Sequence, residues 1–566
     1  MVIALALFLG ASIVIYLARP PIAETILVDG NAPQYGTAPT GVVSGAFHVH
    51  SERSDGSGSL EEISWAAMEA GLDFVILTDH GDGTRQMAPG NYQNGVLLIE
   101  AVEISTDAGH YVALDLPRSP YPLGGEAKGV VEDVARLGGF GIVAHPTSPK
   151  EDLTWENWDL PFDGIEWLNA DSEWRDETLR SLLGAALGYW TRPAESMATL
   201  LDRPGVALAR WDEQTSSRKV VGLGGSDAHA KLAIKALGTN NLKESLALEL
   251  PAYEAMFRVF AVRVELPRPW LGDPILDAEA LLDGIRLGRT FTAVDAIAKP
   301  AHFSFQGEQA GAVIQMGESV NLNGPVTLRS AVEGPIGTEM VLLKDGRVVT
   351  QTFSSELQHV VPTNISPAGY RVEVRIPGVF GTPPVPWIVS NPIYLGLSET
   401  RESSEVNVSD RVDKTFVSEN RWRIEVGPDA QANLDVANRE VTVQFELGSV
   451  SNTYVAAVYE LDQDRLQSNE LLVFDAVASR PMRVAIHLRV ASDDYDIRWK
   501  RSFFVGTTER SVRLAFEDFT AIDQSLPARP ELNNVDDVLL VIDSTNSLLG
   551  SQGTLILRDI HTVFEG

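Results

Sequence analysis

Between residues 42 and 225, short apolar runs alternate with helical patterns, and six histidines between positions 48 and 229 adjoin the ends of those runs. Strands that alternate with helices are typical of βα units, whose strands bring their carboxyl ends to one face. The sequence therefore predicts an α/β region whose histidines lie close together. Seven runs are predicted as strands: residues 45–50, 74–78, 95–104, 111–116, 141–144, 164–167 and 220–223.

Helices are predicted between and after these strands. Ser59 and Glu62 have the spacing of a capping box, and apolar residues recur at helical spacing from there to Gly71. Further helical patterns cover residues 129–137, 176–203 in two pieces, and 278–287.

The pair His48 and His50 gives the first indication of a metal site. Residues two apart in a strand project to the same side, so both imidazoles can reach one ion. The region as a whole supplies six imidazoles and at least three carboxylates: His48, His50, His80, His110, His145 and His229, with Asp55, Glu103 and Asp227. Such a mixture suits Zn²⁺, Mn²⁺ or Fe and exceeds what one ion needs. Any one of these histidines could be a hydrogen-bonded structural residue, but six placed independently at strand ends argue against that interpretation.

Composition narrows the chemistry further. The chain has no cysteine, which excludes disulfides, thiolate zinc sites and cysteine nucleophiles. Its 566 residues carry a formal net charge of −32, and a surface this acidic repels nucleic-acid phosphate. We therefore expect no nucleic-acid partner.

Taken together, these motifs resemble the polymerase and histidinol phosphatase (PHP) superfamily. The residues that carry the resemblance are Phe-His-Val-His-Ser-Glu-Arg-Ser-Asp-Gly at 47–56, Leu-Thr-Asp-His at 77–80, Val-Glu-Ile-Ser at 102–105, Gly-His at 109–110, Ala-His-Pro at 144–146 and Gly-Ser-Asp-Ala-His at 225–229. They occur in the family's order and cover about residues 42–300. The resemblance implies an α/β fold, a distorted seven-stranded β/α (TIM-like) barrel.

The resemblance also implies a set of metal ligands. His48, His50 and Asp227 would hold one ion, and Glu103 would bridge to a second ion held by His110 and His145. Asp55, His80 and His229 would hold a third. Glu103, Asp227 and His229 are also expected to act in catalysis. Family members differ in binding two or three ions, and the metal is left open among Zn, Mn and Fe.

The function implied is a metal-dependent phosphoesterase that uses metal-bound hydroxide on a small phosphate ester. An alternative is hydrolysis of a carbamate, ester or amide bond, because residues 386–394 resemble the end of exported carbaryl-hydrolase-like members. An alternative of another class is a non-catalytic surface protein that binds glycan or protein.

Two further acidic residues each have two possible roles. Asp79 either orients an imidazole or caps a strand end, and Glu166 either lines the pocket or is a plain strand residue.

The rest of the chain is predicted to be β-rich. Residues 301–396 are expected to form a small β-sandwich, 397–417 a linker, and 418–566 a jelly-roll or galactose-binding-like sandwich. In this last domain Trp422, Trp499, Tyr495 and His487 could form an aromatic platform for glycan, although aromatic residues in sandwiches more often belong to the core.

The chain begins with an uncharged apolar run, residues 2–18, followed by Arg-Pro-Pro. Such a run fits a signal-peptide core or a short membrane anchor, so residues 1–20 are predicted to direct export or membrane attachment, with catalysis outside the cytoplasm.

A helical insertion over residues 176–218 is expected to cover the pocket. Its candidate lining residues are Trp190, Arg192, Arg210 and Trp211.

Overall fold

The computed structural model describes residues 41–234, 246–397, 408–416, 418–461, 466, 470–491, 496–523 and 526–565. The predicted segment 1–20 lies outside these residues, and its role stays a prediction. Among the helices that the structure describes, none is both long and apolar enough to cross a membrane.

The chain divides into two compact units, and each is described by itself. Of the described residues, the first contains those within 41–81, 86–117 and 138–397, and the second contains those within 82–85, 118–137 and 408–565. Within the described ranges there are eight α-helices, in chain order α1 Leu60–Ala70, α2 Ala127–Leu137, α3 Ala170–Arg175, α4 Leu179–Tyr189, α5 Pro193–Ala198, α6 Gly205–Thr215, α7 Tyr253–Phe257 and α8 Pro274–Arg286.

The strands of the first unit are short and mostly buried. In chain order they are β1 Val42–Val49, β2 Phe74–Leu77, β3 Asn91–Gln93, β4 Val96–Glu100, β5 Val102–Thr106, β6 Gly109–Leu114, β7 Phe140–Val143, β8 Gly164–Asn169, β9 Val221–Ala228, β10 Leu232–Ile234, β11 Leu246–Leu248, β12 Ala261–Glu265, β13 Thr290–Ala293, β14 His302–Gln309, β15 Ala312–Ile314, β16 Ser319–Val320, β17 Val326–Glu333, β18 Glu339–Lys344, β19 Arg347–Thr352, β20 Glu356–Val361, β21 Ala368–Arg375, β22 Ile388–Ser390 and β23 Ile393–Leu395.

The second unit adds longer strands. They are β24 Val408–Thr415, β25 Trp422–Val426, β26 Gln431–Ala437, β27 Glu440–Glu446, β28 Tyr454–Glu460, β29 Glu470–Ala478, β30 Met482–Val490, β31 Ile497–Val505, β32 Arg510–Ala515, β33 Thr520–Ala521, β34 Asp537–Asp543 and β35 Gln552–Glu565.

The sheet that carries the histidines contains a parallel run. Neighbouring strands in the order β4-β2-β1-β9-β8-β7 pair in parallel. All four residues of β2, Phe-Val-Ile-Leu, are buried, as expected for parallel strands covered on both faces. Beyond β7 the pairing becomes antiparallel through β6 and β5. The carboxyl ends of β1, β2, β8 and β9 thus meet at one edge.

The predicted α/β class, a seven-stranded TIM-like barrel, is wrong for this chain. Strands account for 41% of the structure and helices for 18%. Over the described ranges, one closed, mixed sheet joins seventeen strands, β1–β9, β12, β13, β16, β18, β19 and β21–β23. Its antiparallel hairpins need no crossover helix, so a repeated βα unit does not describe it.

The predicted separation of this sheet from a small sandwich also needs correction. Strand β22 pairs with β13, and β21 pairs with β22, so residues after 301 join the sheet that carries the histidines. The Asn391 side chain stabilises this arrangement, because its amide donates to the carbonyl oxygens of Gly222 at 2.9 Å and Thr290 at 3.0 Å. A separate four-stranded sheet, β15-β14-β17-β20, accounts for the remainder of this stretch.

The predicted helix α1 is confirmed, including its capping box. The backbone N–H of Glu62 donates to the Ser59 hydroxyl, the Glu62 carboxylate accepts from the Ser59 N–H, and Gly71 ends the helix with a φ of 74°. A left-handed φ is natural for glycine, which has no Cβ to clash.

The second unit is a sandwich of two six-stranded antiparallel sheets, β26-β27-β35-β29-β32 with β24 on β35, and β25-β28-β34-β30-β31-β33. Apolar residues alternate along β30, and Met482, Val484, Ile486 and Leu488 all belong to the shared hydrophobic core. Trp422 and Trp499 also lie in that core. The aromatic platform is therefore wrong for these two residues, and Tyr495 lies outside the described residues.

Candidate functional site: an imidazole–carboxylate cluster

Nine side chains meet at the carboxyl-terminal edge of the parallel run, and we call them the imidazole–carboxylate cluster. They are His48, His50, Asp55, His80, Glu103, His110, His145, Asp227 and His229. Their donor atoms form four overlapping groups, each within 4.8 Å: His48, His50 and Asp227; His48, Glu103 and His145; His80, Glu103 and His110; and His50, Asp55, His80 and His229. The structure thus brings together every residue for which the sequence predicts a metal-binding role.

Strand β1 and its end supply the two histidines at the base of the cluster. The Nε2 atoms of His48 and His50 lie 3.0 Å apart, so the two rings face one point as their spacing predicts. The register of β1 shifts between Phe47 and Val49, and His48 has a φ of 65°.

Three of the nine cluster residues have a left-handed backbone conformation. His145 and Asp227 also have left-handed φ values, 29° and 46°. Each such non-glycine conformation costs on the order of 1–3 kcal/mol and persists only where the surroundings enforce it. Strain of this kind is typical of functional sites.

Glu103 on β5 is the centre of the cluster. Its Oε1 accepts from His110 at 2.8 Å and lies 2.9 Å from His145 Nε2, while Oε2 lies 3.1 Å from His50 Nε2. The carboxylate is 1% exposed. Burial raises the pKa of Glu103, but His48, His110 and His145 outweigh that effect and hold it well below its usual range.

Asp227 lies near the end of β9 and His229 directly after it, and both border a cavity. Asp227 Oδ1 lies 3.4 Å from Nε2 of both His48 and His50, and His229 Nε2 lies 3.2 Å from Asp55 Oδ2. Asp55 is half exposed and is also 3.6 Å from His80 Nε2. It therefore closes the solvent side of the cluster.

The carboxylates favour protonated imidazoles when no cation is present. Burial lowers the pKa of His50, but hydrogen bonding to Asp227 and Glu103 outweighs it and raises the pKa to about 9. For His48, burial is likewise outweighed by Glu166, Asp227 and Glu103, which raise its pKa well above the ordinary value. The cluster is thus an environment in which positive charge is strongly stabilised.

Glu166, for which the sequence left two roles open, contacts two cluster residues. It lies buried on β8, where Oε1 accepts from His48 Nδ1 at 2.6 Å and Oε2 accepts from the His145 N–H at 2.7 Å. Gly225 on β9 makes room for it, because a Cβ there would lie 2.1 Å from Glu166 Oε1. The glycine pair before Asp227 is the sequence signal that could have indicated this close packing.

Two residues near the cluster carried no sequence signal. The Asn169 amide donates to Glu166 at 2.8 Å and to Asp227 at 3.3 Å. The hydroxyl of Tyr253 lies 2.8 Å from the His50 carbonyl oxygen and 3.1 Å from that of His229. Tyr253 therefore links the backbones of two cluster residues that are distant in sequence.

Asp79 takes a different role from the imidazole contact considered for it. Its carboxylate accepts from the Ser51 N–H at 2.8 Å and from the hydroxyls of Ser51 and Ser54, each at 2.7 Å. It thus fixes the loop that carries Asp55.

The predicted insertion contributes to the cavity only in part. Trp190 lines the cavity beside the cluster. Trp211 is buried instead, with its Nε1 donating to the Val220 carbonyl oxygen at 2.9 Å, and Arg210 pairs with Glu213 at 3.0 Å.

Comparison with known proteins gives limited information. No family model matches the sequence, and no curated protein matches it. Among solved structures, the chain is similar to a family 11 carbohydrate-binding module from Clostridium thermocellum in complex with a β-1,3-1,4-mixed-linked tetrasaccharide, with 14% identity, a TM-score of 0.23, and coverage of 28% of this chain and 95% of the module. It is also similar to the agarase AgWH50C, with 14% identity, a TM-score of 0.21, and coverage of 27% of this chain and 26% of the agarase. Likeness at this level assigns no function.

Proposed function

We propose that this protein is a metal-dependent hydrolase whose active site is the imidazole–carboxylate cluster. The observation that carries the proposal is the convergence of nine nitrogen and oxygen ligands, with donor atoms in overlapping groups no wider than 4.8 Å. The resemblance to the PHP superfamily stays a prediction, and the proposal rests on the geometry of the side chains.

The donor set fits divalent cations. Imidazole nitrogens and carboxylate oxygens suit Zn²⁺, Mn²⁺ and Fe, and nine ligands are enough for two or three ions. His48, His50 and Glu103 are each 1% exposed or less. Buried ionisable groups in this number need compensating charge, which cations supply.

Divalent ions held in such a cluster activate water and stabilise negative charge on a phosphoryl or carbonyl oxygen. The residues of this chain position the reactants. Glu166 and Glu103 fix the imidazoles, whereas Asp227, His229 and Lys231 border the cavity from which a substrate would enter. His229 is less buried than Glu103 and lines the cavity, so of these two residues it is the one that a substrate could contact.

Phosphate-ester hydrolysis is the leading reaction, and hydrolysis of a carbamate, carboxylic ester or amide is the alternative. Both can use the same cluster, because phosphoryl and carbonyl oxygens gain negative charge in the transition state. Assays of Mn²⁺- or Zn²⁺-loaded protein against aryl phosphates and aryl carbamates separate them. Activity on carbamates alone would reject the phosphoesterase assignment.

The enzyme proposal is tested by the double variant His48→Ala/His50→Ala. We expect loss of metal in elemental analysis and loss of hydrolysis of the substrate found above. The matched control is His359→Ala on β20, a histidine outside the cluster. Full hydrolytic activity in the metal-free double variant would overturn the proposal.

A second candidate is glycan contact through the carboxyl-terminal sandwich, a binding role independent of the cluster. The two-sheet sandwich favours it, and the contact would use side chains other than Trp422 and Trp499, which lie in the core. Binding to a panel of polysaccharides, equal for the native protein and for His48→Ala/His50→Ala, would support this candidate. Absence of binding across the panel would remove it.

A further inference from the structure

A cavity of about 720 Å³ opens beside the imidazole–carboxylate cluster, and its walls differ in chemistry from the cluster itself. Asp55, Asp227 and His229 form one end of the cavity. The remaining walls come from α3, α4, α5 and α7 and from the loops beside them, and their large side chains are Trp174, Leu182, Tyr189, Met197, Leu200 and Met256. The cavity is therefore polar where it meets the cluster and largely apolar elsewhere.

The apolar walls are held in a defined arrangement. Trp174 donates from Nε1 to Asp171 at 2.9 Å, and Arg175 stacks on its indole with 4.7 Å between guanidinium carbon and ring centre. The Tyr189 hydroxyl accepts from the Ala252 N–H at 2.8 Å, which ties the end of α4 to the chain entering α7.

Apolar surface also remains exposed along the cavity. Leu183 is 57% exposed and Trp190 is 70% exposed, and both line it. Contiguous exposed apolar surface usually marks a binding site, and a volume between roughly 300 and 1,000 Å³ is typical of pockets for small molecules. Because the cavity shares three residues with the cluster, its occupant would reach the cluster ligands without leaving the cavity.

We propose that this cavity binds the apolar part of the substrate, so that the substrate is an amphiphile: an alkyl or aryl group joined to the head that is hydrolysed. The inference rests on the proposed function and adds the substrate class to it. The head would lie against Asp227 and His229, and the apolar group would lie along Leu182 and Met197. Lys231, which donates to the Asp55 carbonyl oxygen at 3.2 Å, lines the same end and places a positive charge near the head.

The test measures binding rather than turnover. Dissociation constants of methyl, butyl and octyl phosphate are determined by calorimetry on the Mn²⁺-loaded full-length protein, with the octyl compound below its micellar concentration. Each buried methylene strengthens binding by up to about fourfold, so octyl phosphate should bind at least about tenfold more tightly than methyl phosphate.

Variants locate the effect. Leu182→Gln makes the wall polar, and Ala186→Trp puts a large ring at another lining position of the cavity; both should remove most of the dependence on chain length. The matched control is Leu179→Gln on the same helix, where the side chain is 73% exposed and outside the cavity lining; it should behave as the native protein does.

The result that overturns the inference is equal affinity for all three phosphates, or a chain-length dependence that Leu182→Gln and Ala186→Trp leave intact. Failure to bind any of the three also overturns it. Failure of the proposed function would give a different result. The protein would hydrolyse none of the esters and carbamates tested, but it would still bind octyl phosphate more tightly than methyl phosphate.

Discussion

Oε1 of Glu166 lies 2.6 Å from Nδ1 of His48, and the second oxygen of the same carboxylate accepts from the backbone N–H of His145 at 2.7 Å. One carboxylate on β8 therefore fixes a side chain from β1 and the backbone after β7. With Nδ1 of His48 engaged, its Nε2 is left to face His50 and Asp227. This is the arrangement by which a neighbouring carboxylate sets the tautomer and the orientation of a metal-binding imidazole.

Replacing Glu166 by glutamine should weaken metal binding without removing a ligand. Loss of the carboxylate that orients a ligating imidazole typically costs 10- to 100-fold in metal affinity, so we expect a rise of that size in the dissociation constant for Mn²⁺ or Zn²⁺. Calorimetric titration of the metal-free protein measures it.

The control for this variant is Glu265→Gln on β12, a buried strand carboxylate that lies beside Arg289 rather than an imidazole. Equal metal affinity in Glu166→Gln and Glu265→Gln would show that Glu166 does not act through His48.

Metal binding should release protons at neutral pH. In the metal-free protein, burial of His50 is outweighed by Asp227 and Glu103, and its pKa rises to about 9, so an incoming cation must displace a proton. Affinity should therefore increase as the pH rises from 6 towards 9.

Titration in two buffers of different ionisation enthalpy at pH 7 gives the number of protons released, and we expect at least about one per protein. The same titration of His50→Gln should release fewer. Metal binding with no proton release and no pH dependence between 6 and 9 would contradict the raised pKa.

The cluster was predictable from sequence because its members lie within or beside apolar runs that form strands, whereas the sheet around it was not. His48, His110 and Asp227 stand beside apolar runs whose strands the structure confirms as β1, β6 and β9. A strand's apolar pattern does not encode its partner, so nothing in residues 388–390 indicated that β22 would pair with β13. Tyr253 was equally hidden, because one of its two backbone contacts is with His50, 203 positions away in the sequence.

Glu173 on α3 should make the stability of the protein depend on pH. Burial, reinforced by Asp176, Asp202 and Glu177, raises its pKa from the ordinary 4.5 to about 8, although the Asp202 N–H donates to it at 2.9 Å. Between these two pH values the folded protein holds the proton more tightly than the unfolded chain, so stability falls as the pH rises from about 4.5 to about 8.

Glu173→Gln keeps an acceptor for the Asp202 N–H and removes the charge. We expect the variant to be more stable than the native protein at pH 8.5, by on the order of a few kcal/mol, and to match it near pH 4.5. Thermal unfolding midpoints at the two pH values measure the difference. Glu213→Gln, at a carboxylate that is 62% exposed, is the control and should change neither midpoint. Equal pH dependence in native and Glu173→Gln protein would contradict the burial argument.

Asp133 on α2 should hold residues 118–137 within the second unit. Arg483 donates to its carboxylate from Nε at 2.8 Å and Nη2 at 3.0 Å, and both side chains are 2% exposed or less. Breaking a buried pair leaves a charge without compensation, which typically costs about 3–5 kcal/mol. Asp133→Asn should therefore expose the segment to protease and lower the thermal midpoint of the sandwich.

The control is Asp518→Asn, which loses only an ion pair with Lys128 whose two side chains are each about one-third exposed. Its cost in stability should stay below about 1 kcal/mol. Limited proteolysis followed by mass spectrometry locates the cuts; equal cleavage within 118–137 in both variants would mean that the buried pair does not hold the segment.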